Sequence, residues 1–218
     1  MDPHVLSTNL AHPQPDPGGA DRVSGIDKRP VGELELFTPG PAYGDGPGVR
    51  GDVVGDSQHH GGAQKAVYAY AREELDHWEG ELGRELACGA FGENLTTTGI
   101  DLEALVVNQP LRIGTALLEV SVPRRPCRTF AAWLDERGWL KRFTARGRCG
   151  TYLRVVEPGV VRAGDRIEPG RAPVHGVTMR TAFAGAMGDL EASRALVEAA
   201  CLPSMYHQRH VEALARRG

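Results

Sequence analysis

LLEVSVPRRPCRTF, residues 117–130, is the stretch on which the fold prediction depends. Its first six residues are mainly apolar and include two valines, which is typical of a strand. The prolines that follow cannot continue a ladder, so the strand ends there. Phe130, Trp133 and Leu134 then lie at helical spacing. Cys127 is therefore predicted at a junction between a strand and a helix, where small-molecule sites often occur.

Short apolar runs elsewhere predict further strands, separated by segments rich in the 28 Gly and 15 Pro. The predicted strands are residues 4–8, 32–37, 66–70, 105–107, 117–122, 150–156 and 166–168. A helix is predicted over residues 71–82, with Leu75, Trp78 and Leu82 on its buried face. The segment EPGVVRAGD has the character of a hairpin. The sequence predicts a mainly β chain with helices, of the α+β class.

The composition changes after PGRAP, residues 169–173. Three helices are predicted beyond it, over residues 178–187, 189–200 and 203–216. Thr178 and Asp189 suit helix N-caps, and Pro203 suits a first helical turn. We expect a main domain over residues 1–170 and a helical extension over residues 174–218. The extension either covers the main domain or joins a second copy, so a homodimer stays open.

The net charge of −3, from 25 Lys and Arg against 28 Asp and Glu, argues against nucleic acid or an anionic membrane as a partner. The amino-terminal residues lack the pattern of a signal peptide, and no apolar run approaches the length of a membrane span. We expect a soluble, cytoplasmic protein. The four cysteines show no C-x-x-C spacing, so free thiols are expected in a reducing cytoplasm.

Cys127 has the most distinctive surroundings of the four cysteines, because Arg124, Arg125 and Arg128 flank it. Positive charge favours the thiolate, which is the form that binds metals and attacks electrophiles. One guanidinium group can also bind two phosphate oxygens at once, so the cluster is suited to a phosphorylated cofactor. The alternative is a buried cysteine with solvated arginines.

Three further segments carry candidate binding residues. HHGG ends in Gly61 and Gly62, whose backbone N–H groups are suited to an anion, with His60 as an added donor. GENL places Glu93 beside Asn94, whose amide is suited to a heterocycle edge or a phosphate. Lys28 is a cation between turn residues. The simpler interpretations are a hairpin with exposed histidines, an Asx turn and a surface lysine.

Several of these segments together resemble the MOSC domain family, named for the carboxyl-terminal region of the molybdenum-cofactor sulfurase. The matching pieces, in family order, are SGIDKRPV, GDVVGD with HHGG and KAVYAY, GAFGENLTTTG, the PR.PC element at 123–127, and GTYLRVVEPGVVRAGDRIE. The resemblance covers about residues 20–170. The remaining residues resemble the three-helix extension of a stand-alone bacterial type within the family.

The resemblance implies a β-barrel-like domain with peripheral helices, and a molybdenum cofactor whose metal is bound by Cys127. Arg124 and Asn94 match motif positions, and we expect Arg124 to bind phosphate and Asn94 to bind phosphate or pterin. His60, Gly61, Gly62 and Glu93 match other motif loops. Lys28 belongs to the SGIDKRPV element, and Arg125 fills a variable position of the motif.

The resemblance also implies an oxidoreductase that reduces small N-hydroxylated compounds such as hydroxylamines and amidoximes. The chain shows no flavin, nicotinamide or iron–sulfur signature, so a separate reductase is expected as electron donor. One alternative is a cofactor carrier, or a sulfur carrier with a persulfide on Cys127. Less favoured are a zinc hydrolase, since the adjacent His59 and His60 face opposite ways in an extended segment, and a pyridoxal-phosphate enzyme using Lys28 or Lys65.

Overall fold

The computed structural model describes residues 2–216 and shows a mixed α+β chain. Twelve strands and six α-helices lie within that range. The strands are β1 (His4–Ala11), β2 (Gln14–Pro15), β3 (Val23–Ser24), β4 (Lys28–Val31), β5 (Glu33–Leu36), β6 (Val67–Ala71), β7 (Leu95–Thr98), β8 (Pro110–Ile113), β9 (Ala116–Val120), β10 (Thr151–Glu157), β11 (Gly159–Arg162) and β12 (Ile167–Pro169). The helices are α1 (Arg72–Leu82), α2 (Arg128–Leu134), α3 (Trp139–Arg146), α4 (Met179–Ala186), α5 (Leu190–Ala199) and α6 (Ser204–Ala215).

Eight strands form one curled, half-barrel sheet in the order β12-β8-β9-β10-β6-β7-β1-β4. All of its pairs are antiparallel except β6 with β7, which α1 connects as a crossover. Every residue of β6, Val67–Ala71, is buried, as expected for a central strand covered on both faces. The predicted barrel-like α+β fold is confirmed.

An aromatic cluster fills the space between the sheet and helices α1, α2 and α3. Phe91, Phe130, Trp139 and Phe143 are each at most 1% exposed. Their rings contact one another, with the centres of Phe130 and Phe143 5.2 Å apart at nearly right angles. The cluster anchors α2 through Phe130, and it thereby positions the loop that carries Cys127.

The junction predicted at residues 117–134 forms as a strand, a loop and a helix. Strand β9 ends at Val120, but backbone hydrogen bonds between Ser121 and Tyr152 and between Tyr152 and Val122 continue the ladder to the first proline. Helix α2 begins directly after Cys127 and ends at Leu134, where Asp135 has a φ of 50°. A separate helix, α3, follows after Gly138, beyond the residues whose helical spacing was noted in the sequence.

Two local predictions were wrong. Residues 105–107 form no strand; Val106 makes only an isolated bridge to Thr178, because this short segment pairs with the chain entering α4. EPGVVRAGD does not fold back on β10. Strand β11 instead pairs with β5, with Val161 opposite Leu34, and so joins distant parts of the chain.

The three predicted carboxyl-terminal helices are present as α4, α5 and α6, although residues 217 and 218 of the predicted extension lie outside the described range. Thr178 and Asp189 cap α4 and α5 by accepting from the N–H groups of Thr181 and Ala192. Buried side chains such as Phe183 join these helices to the main core. Within residues 2–216, none of the helices has the length and apolarity that crossing a membrane requires.

Candidate functional site

A cavity of about 230 Å³ opens between the loops beside β6 and β10. It is called the central cavity below. Its charged and polar wall residues are Asp16, Arg22, Ser24, Lys28, Asp52, Asp56, His60, Lys65, Tyr68, Asn94, Arg124, Cys127, Arg128, Thr129 and Tyr152. Five of these side chains are cationic and three are carboxylates, so the wall has an excess of positive charge that is suited to an anionic ligand.

Cys127 lies on the cavity wall as a free, half-buried thiol. It is the N-cap residue of α2, and its extended backbone, with φ −131° and ψ 171°, turns the chain from the proline-rich loop into the helix. Its carbonyl accepts the N–H of Ala131 at 3.0 Å. The thiol is therefore accessible from the cavity while its backbone is fixed by the start of the helix.

Arg124 is a buried cation in the same wall, with 5% of its surface exposed. Its guanidinium Cζ lies 3.6 Å from the centre of the Phe130 ring and 5.1 Å from that of Tyr68. Within residues 2–216, the buried nitrogen Nη1 has no hydrogen-bond partner. A guanidinium stays protonated at any physiological pH, so this group has a charge and a donor to offer to a ligand.

Lys28 and Asn94 line the cavity but are held by Asp52, which the sequence analysis did not select. The ammonium of Lys28 donates to both carboxylate oxygens of Asp52 at 2.6 Å. The amide nitrogen of Asn94 donates to Asp52 at 2.8 Å, and its amide oxygen accepts the N–H of Tyr68 at 3.1 Å. These polar groups fix the wall between β4 and β7, and their hydrogen-bonding capacity is largely used within the protein.

The cavity wall also contains His60, Tyr152 and Lys65. Burial, with added repulsion from Lys65, lowers the pKa of His60 to about 3, so the imidazole is neutral at neutral pH. Its Nδ1 lies 3.5 Å from the hydroxyl of Tyr152, whose pKa burial raises to about 12. Burial lowers the pKa of Lys65 to about 8, and its Nζ donates to the carbonyl of His59 at 2.7 Å. Lys65 and Tyr152 therefore hold protons on this wall.

Three other predicted residues lie outside the wall. Glu93 is fully buried, and its carboxylate accepts from the N–H groups of Gly89 and Phe91, so it holds a turn. Burial raises the pKa of Glu93. Arg125 is exposed beside the cavity. Gly62 has a φ of 73°, and a Cβ there would lie 2.1 Å from the carbonyl oxygen of Ala42. The backbone conformation at this position therefore requires glycine.

Gly61 does line the cavity, with a φ of 82° that favours glycine. His59, two residues earlier, is exposed, does not line the cavity and lies 3.1 Å from Asp56. Within residues 2–216, no group of three His, Cys, Asp or Glu side chains comes together as a metal-binding set. The remaining cysteines differ from Cys127, since Cys149 and Cys201 are buried and Cys88 lies outside the wall.

The sequence analysis missed a second ion-paired group in the wall. Arg22 donates to Asp16 at 2.7 Å and lies 3.0 Å from Asp56. Thr129, two residues after Cys127, also donates to Asp16 at 3.1 Å. Asp56 ends the GDVVGD segment that was recognised as a motif, whereas Asp16 and Arg22 precede the SGIDKRPV segment. The pairing of Arg22 with Asp56, however, joins positions far apart in the sequence and leaves no local signal.

The MOSC domain family matches residues 56–168, which is more than half of the chain. The uncharacterized protein YflK of Bacillus subtilis is 36% identical over 165 residues, covering 75% of this chain and 72% of YflK. YiiM of Escherichia coli is 32% identical over 124 residues, covering 56% of this chain and 55% of YiiM. A Gibberella moniliformis protein named Reductase is 36% identical over 132 residues, covering 59% of this chain but 23% of that protein.

The crystal structure of YiiM from Geobacillus stearothermophilus has the same fold. It superimposes with a TM-score of 0.77 over 97% of this chain and 99% of that one, at 24% sequence identity. The family match includes the loop with Cys127 and about half of the residues that line the central cavity, and the other lining residues, among them Lys28, precede it. This chain is therefore a member of the MOSC domain family.

Proposed function

We propose that this protein binds the molybdenum cofactor in the central cavity through Cys127 and is an oxidoreductase. The observation that carries the proposal is the arrangement of Arg124 and Cys127 in one wall: a buried guanidinium nitrogen without a partner in the described chain, and an accessible thiol. A buried cation without a counter-charge is unfavourable, so the cavity is suited to an anionic group that completes it. A phosphate of the cofactor has that character.

The residues present fit such a cofactor in two respects. Cys127 supplies a soft sulfur ligand, the type that favours a redox-active metal over magnesium or calcium. Arg124 supplies a planar donor for phosphate oxygens, and the positive excess of the wall favours the whole anion. When bound, the cofactor supplies two-electron oxygen-atom transfer, which is the chemistry that the family resemblance implies.

The remaining wall residues are suited to providing protons. Reduction of an N–OH group breaks the N–O bond, forms an N–H bond and releases water, and it consumes two electrons and two protons. Tyr152 holds a proton on Oη, and Lys65 holds one on Nζ at neutral pH, because their pKa values are about 12 and about 8. His60 stays neutral and adds no charge next to Lys65.

We propose N-hydroxylated compounds as substrates and a separate protein as the electron donor. The similar protein named Reductase supports an enzymatic role, although this chain spans under a quarter of it. The four cysteines of this chain are free thiols, which is consistent with action in a reducing cytoplasm.

The proposal is tested by assaying benzamidoxime reduction with dithionite as electron donor, using protein expressed in a host that makes the cofactor. We expect benzamidine from the wild type and from Cys88→Ala, whose thiol lies outside the wall, but not from Cys127→Ala. Equal rates in all three proteins contradict the proposal. Cyanolysable sulfur on Cys127, together with no turnover, identifies a sulfur carrier instead.

A further inference from the structure

Four cationic side chains lie in the wall of the central cavity or near Lys65 of that wall. This group, called the basic rim, consists of Lys65, Arg125, Arg128 and Arg209. Arg125, Arg128 and Arg209 are exposed, and Lys65 is half-buried. Within residues 2–216, none of the four lies within ion-pairing distance of a carboxylate. The rim is thus an uncompensated positive surface on a chain whose net charge is −3.

A continuous set of contacts joins the rim to the carboxyl-terminal helix α6. The ammonium of Lys65 lies 5.0 Å from the centre of the Tyr43 ring. The hydroxyl of Tyr43 donates to the hydroxyl of Tyr206 at 2.6 Å, and the guanidinium of Arg209 lies 5.3 Å from the centre of the Tyr206 ring. Helix α6 therefore places Arg209 near Lys65 but outside the cavity wall.

The charges of the rim are close enough to influence one another. The pKa of Lys65 is lowered mainly by burial and then by the charges of Arg209 and Arg125. The nearby carboxylate of Asp56 is already engaged by Arg22 at 3.0 Å and His59 at 3.1 Å. Positive charge consequently accumulates at the place where a partner must approach Cys127.

We propose that the basic rim is the docking surface for an acidic electron-carrier protein. This inference rests on the proposed function. The carrier delivers two electrons per turnover, water supplies two protons, the N–O bond of the substrate breaks, and its oxygen leaves as water. A compact acidic protein contacts the basic rim without covering the rest of the surface. A long polyanion such as RNA also covers surface outside the rim, where the net charge of −3 disfavours it.

The first test measures binding of a ten-residue polyglutamate peptide, by fluorescence anisotropy in 20 mM and 300 mM NaCl. Arg209→Glu is compared with Arg171→Glu, an equal charge change at an exposed arginine outside the rim and the cavity wall. We expect the peptide to bind the wild type in low salt, about tenfold more weakly to Arg209→Glu, and unchanged to Arg171→Glu. Equal weakening by both variants, no binding, or tighter binding of a 20-nucleotide RNA overturns the inference.

The second test uses turnover and separates the two proposals. Reduced flavodoxin, an acidic carrier, is compared with dithionite as donor for benzamidoxime reduction. We expect Arg209→Glu to lower the ratio of the flavodoxin-supported rate to the dithionite-supported rate about tenfold in low salt, because a large acidic carrier depends on the rim more than a small donor does. The docking surface is overturned if this ratio is unchanged in Arg209→Glu, or if the wild type turns over with dithionite but not with flavodoxin. Loss of turnover with both donors in the wild type overturns the proposed function, whatever the peptide binding shows.

Discussion

The guanidinium of Arg124 stacks on the ring of Phe130, with its Cζ 3.6 Å from the ring centre. The two residues lie on either side of Cys127, so their contact closes the loop that carries the thiol. Phe130 is fully buried in the aromatic cluster, and its packing there fixes the position of the loop. A cation held against an aromatic face keeps its in-plane donors available, which is the arrangement that an anion site requires.

Replacing Arg124 separates a binding role from a structural one. Arg124→Met removes a buried charge that has no counter-ion among the described residues, so we expect the cofactor-free protein to keep or gain stability in urea. Loss of one charge-assisted phosphate contact lowers molybdenum retention about tenfold, which corresponds to about 1.4 kcal/mol. Unfolding curves and metal content on the same preparations provide the measurement. Lower stability with unchanged metal content contradicts the assignment.

Replacing Phe130 tests whether the aromatic cluster positions the loop. We expect Phe130→Leu to lower the free energy of unfolding by about 2 kcal/mol and also to lower molybdenum content, because Arg124 loses its support. Phe183→Leu is the matched control, since Phe183 is 3% exposed and belongs to the same core. It should lose similar stability in denaturant while its metal content stays at the wild-type value. Equal metal loss in both variants indicates a general folding effect.

The pair Lys28 and Asp52 is a buried ion pair in the wall, with side-chain exposures of 7% and 6%. Asp52→Asn leaves the ammonium without its counter-charge, and we expect it to lower the free energy of unfolding by about 3 kcal/mol. Combining it with Lys28→Met should restore at least half of that loss, because the unpaired charge is gone. Urea unfolding of both single variants and the double variant measures the coupling. Strictly additive losses of unfolding free energy in the double variant would contradict a coupling between Lys28 and Asp52.

His60 predicts a dependence of stability on pH. Its pKa is about 3 in the folded protein, because burial and the charge of Lys65 disfavour the imidazolium, and about 6.5 in the unfolded chain. The unfolded chain therefore binds the proton more tightly, so stability is lost as pH falls from 6.5 towards 3. We expect His60→Asn to reduce the loss between pH 7 and pH 5 by about 2 kcal/mol, measured by urea unfolding. The same pH dependence in both proteins contradicts this.

The sequence predicted the parts of the molecule that local patterns determine. Cys127 and Arg124 were recognised because proline, arginine and cysteine occur together, and the strand, loop and helix around them follow from neighbouring residues. Thr178 and Asp189 were recognised as caps for the same reason. The structure brings Cys127, Arg124, Lys28 and Asn94 to one cavity, although their contacts with a cofactor stay predictions.

The missed features depend on contacts between distant positions. Asp52 lies in the GDVVGD segment, but its role appears only when the fold brings Lys28 and Asn94 to it. Arg209 lies near Lys65 because Tyr206 of α6 contacts Tyr43, which the helical pattern of the extension does not reveal. Glu93 illustrates the reverse case, since its place in a motif suggested a ligand contact, while the structure gives its carboxylate backbone partners.

Molybdenum content tests the central claim most directly. Wild-type protein, Cys127→Ala and Cys88→Ala are expressed together in a host that makes the cofactor, and the metal is measured by elemental mass spectrometry on folded protein. We expect about one molybdenum per chain in the wild type and in Cys88→Ala, and almost none in Cys127→Ala. Equal molybdenum in all three proteins, or none in the wild type, would contradict the assignment of Cys127 as the metal ligand.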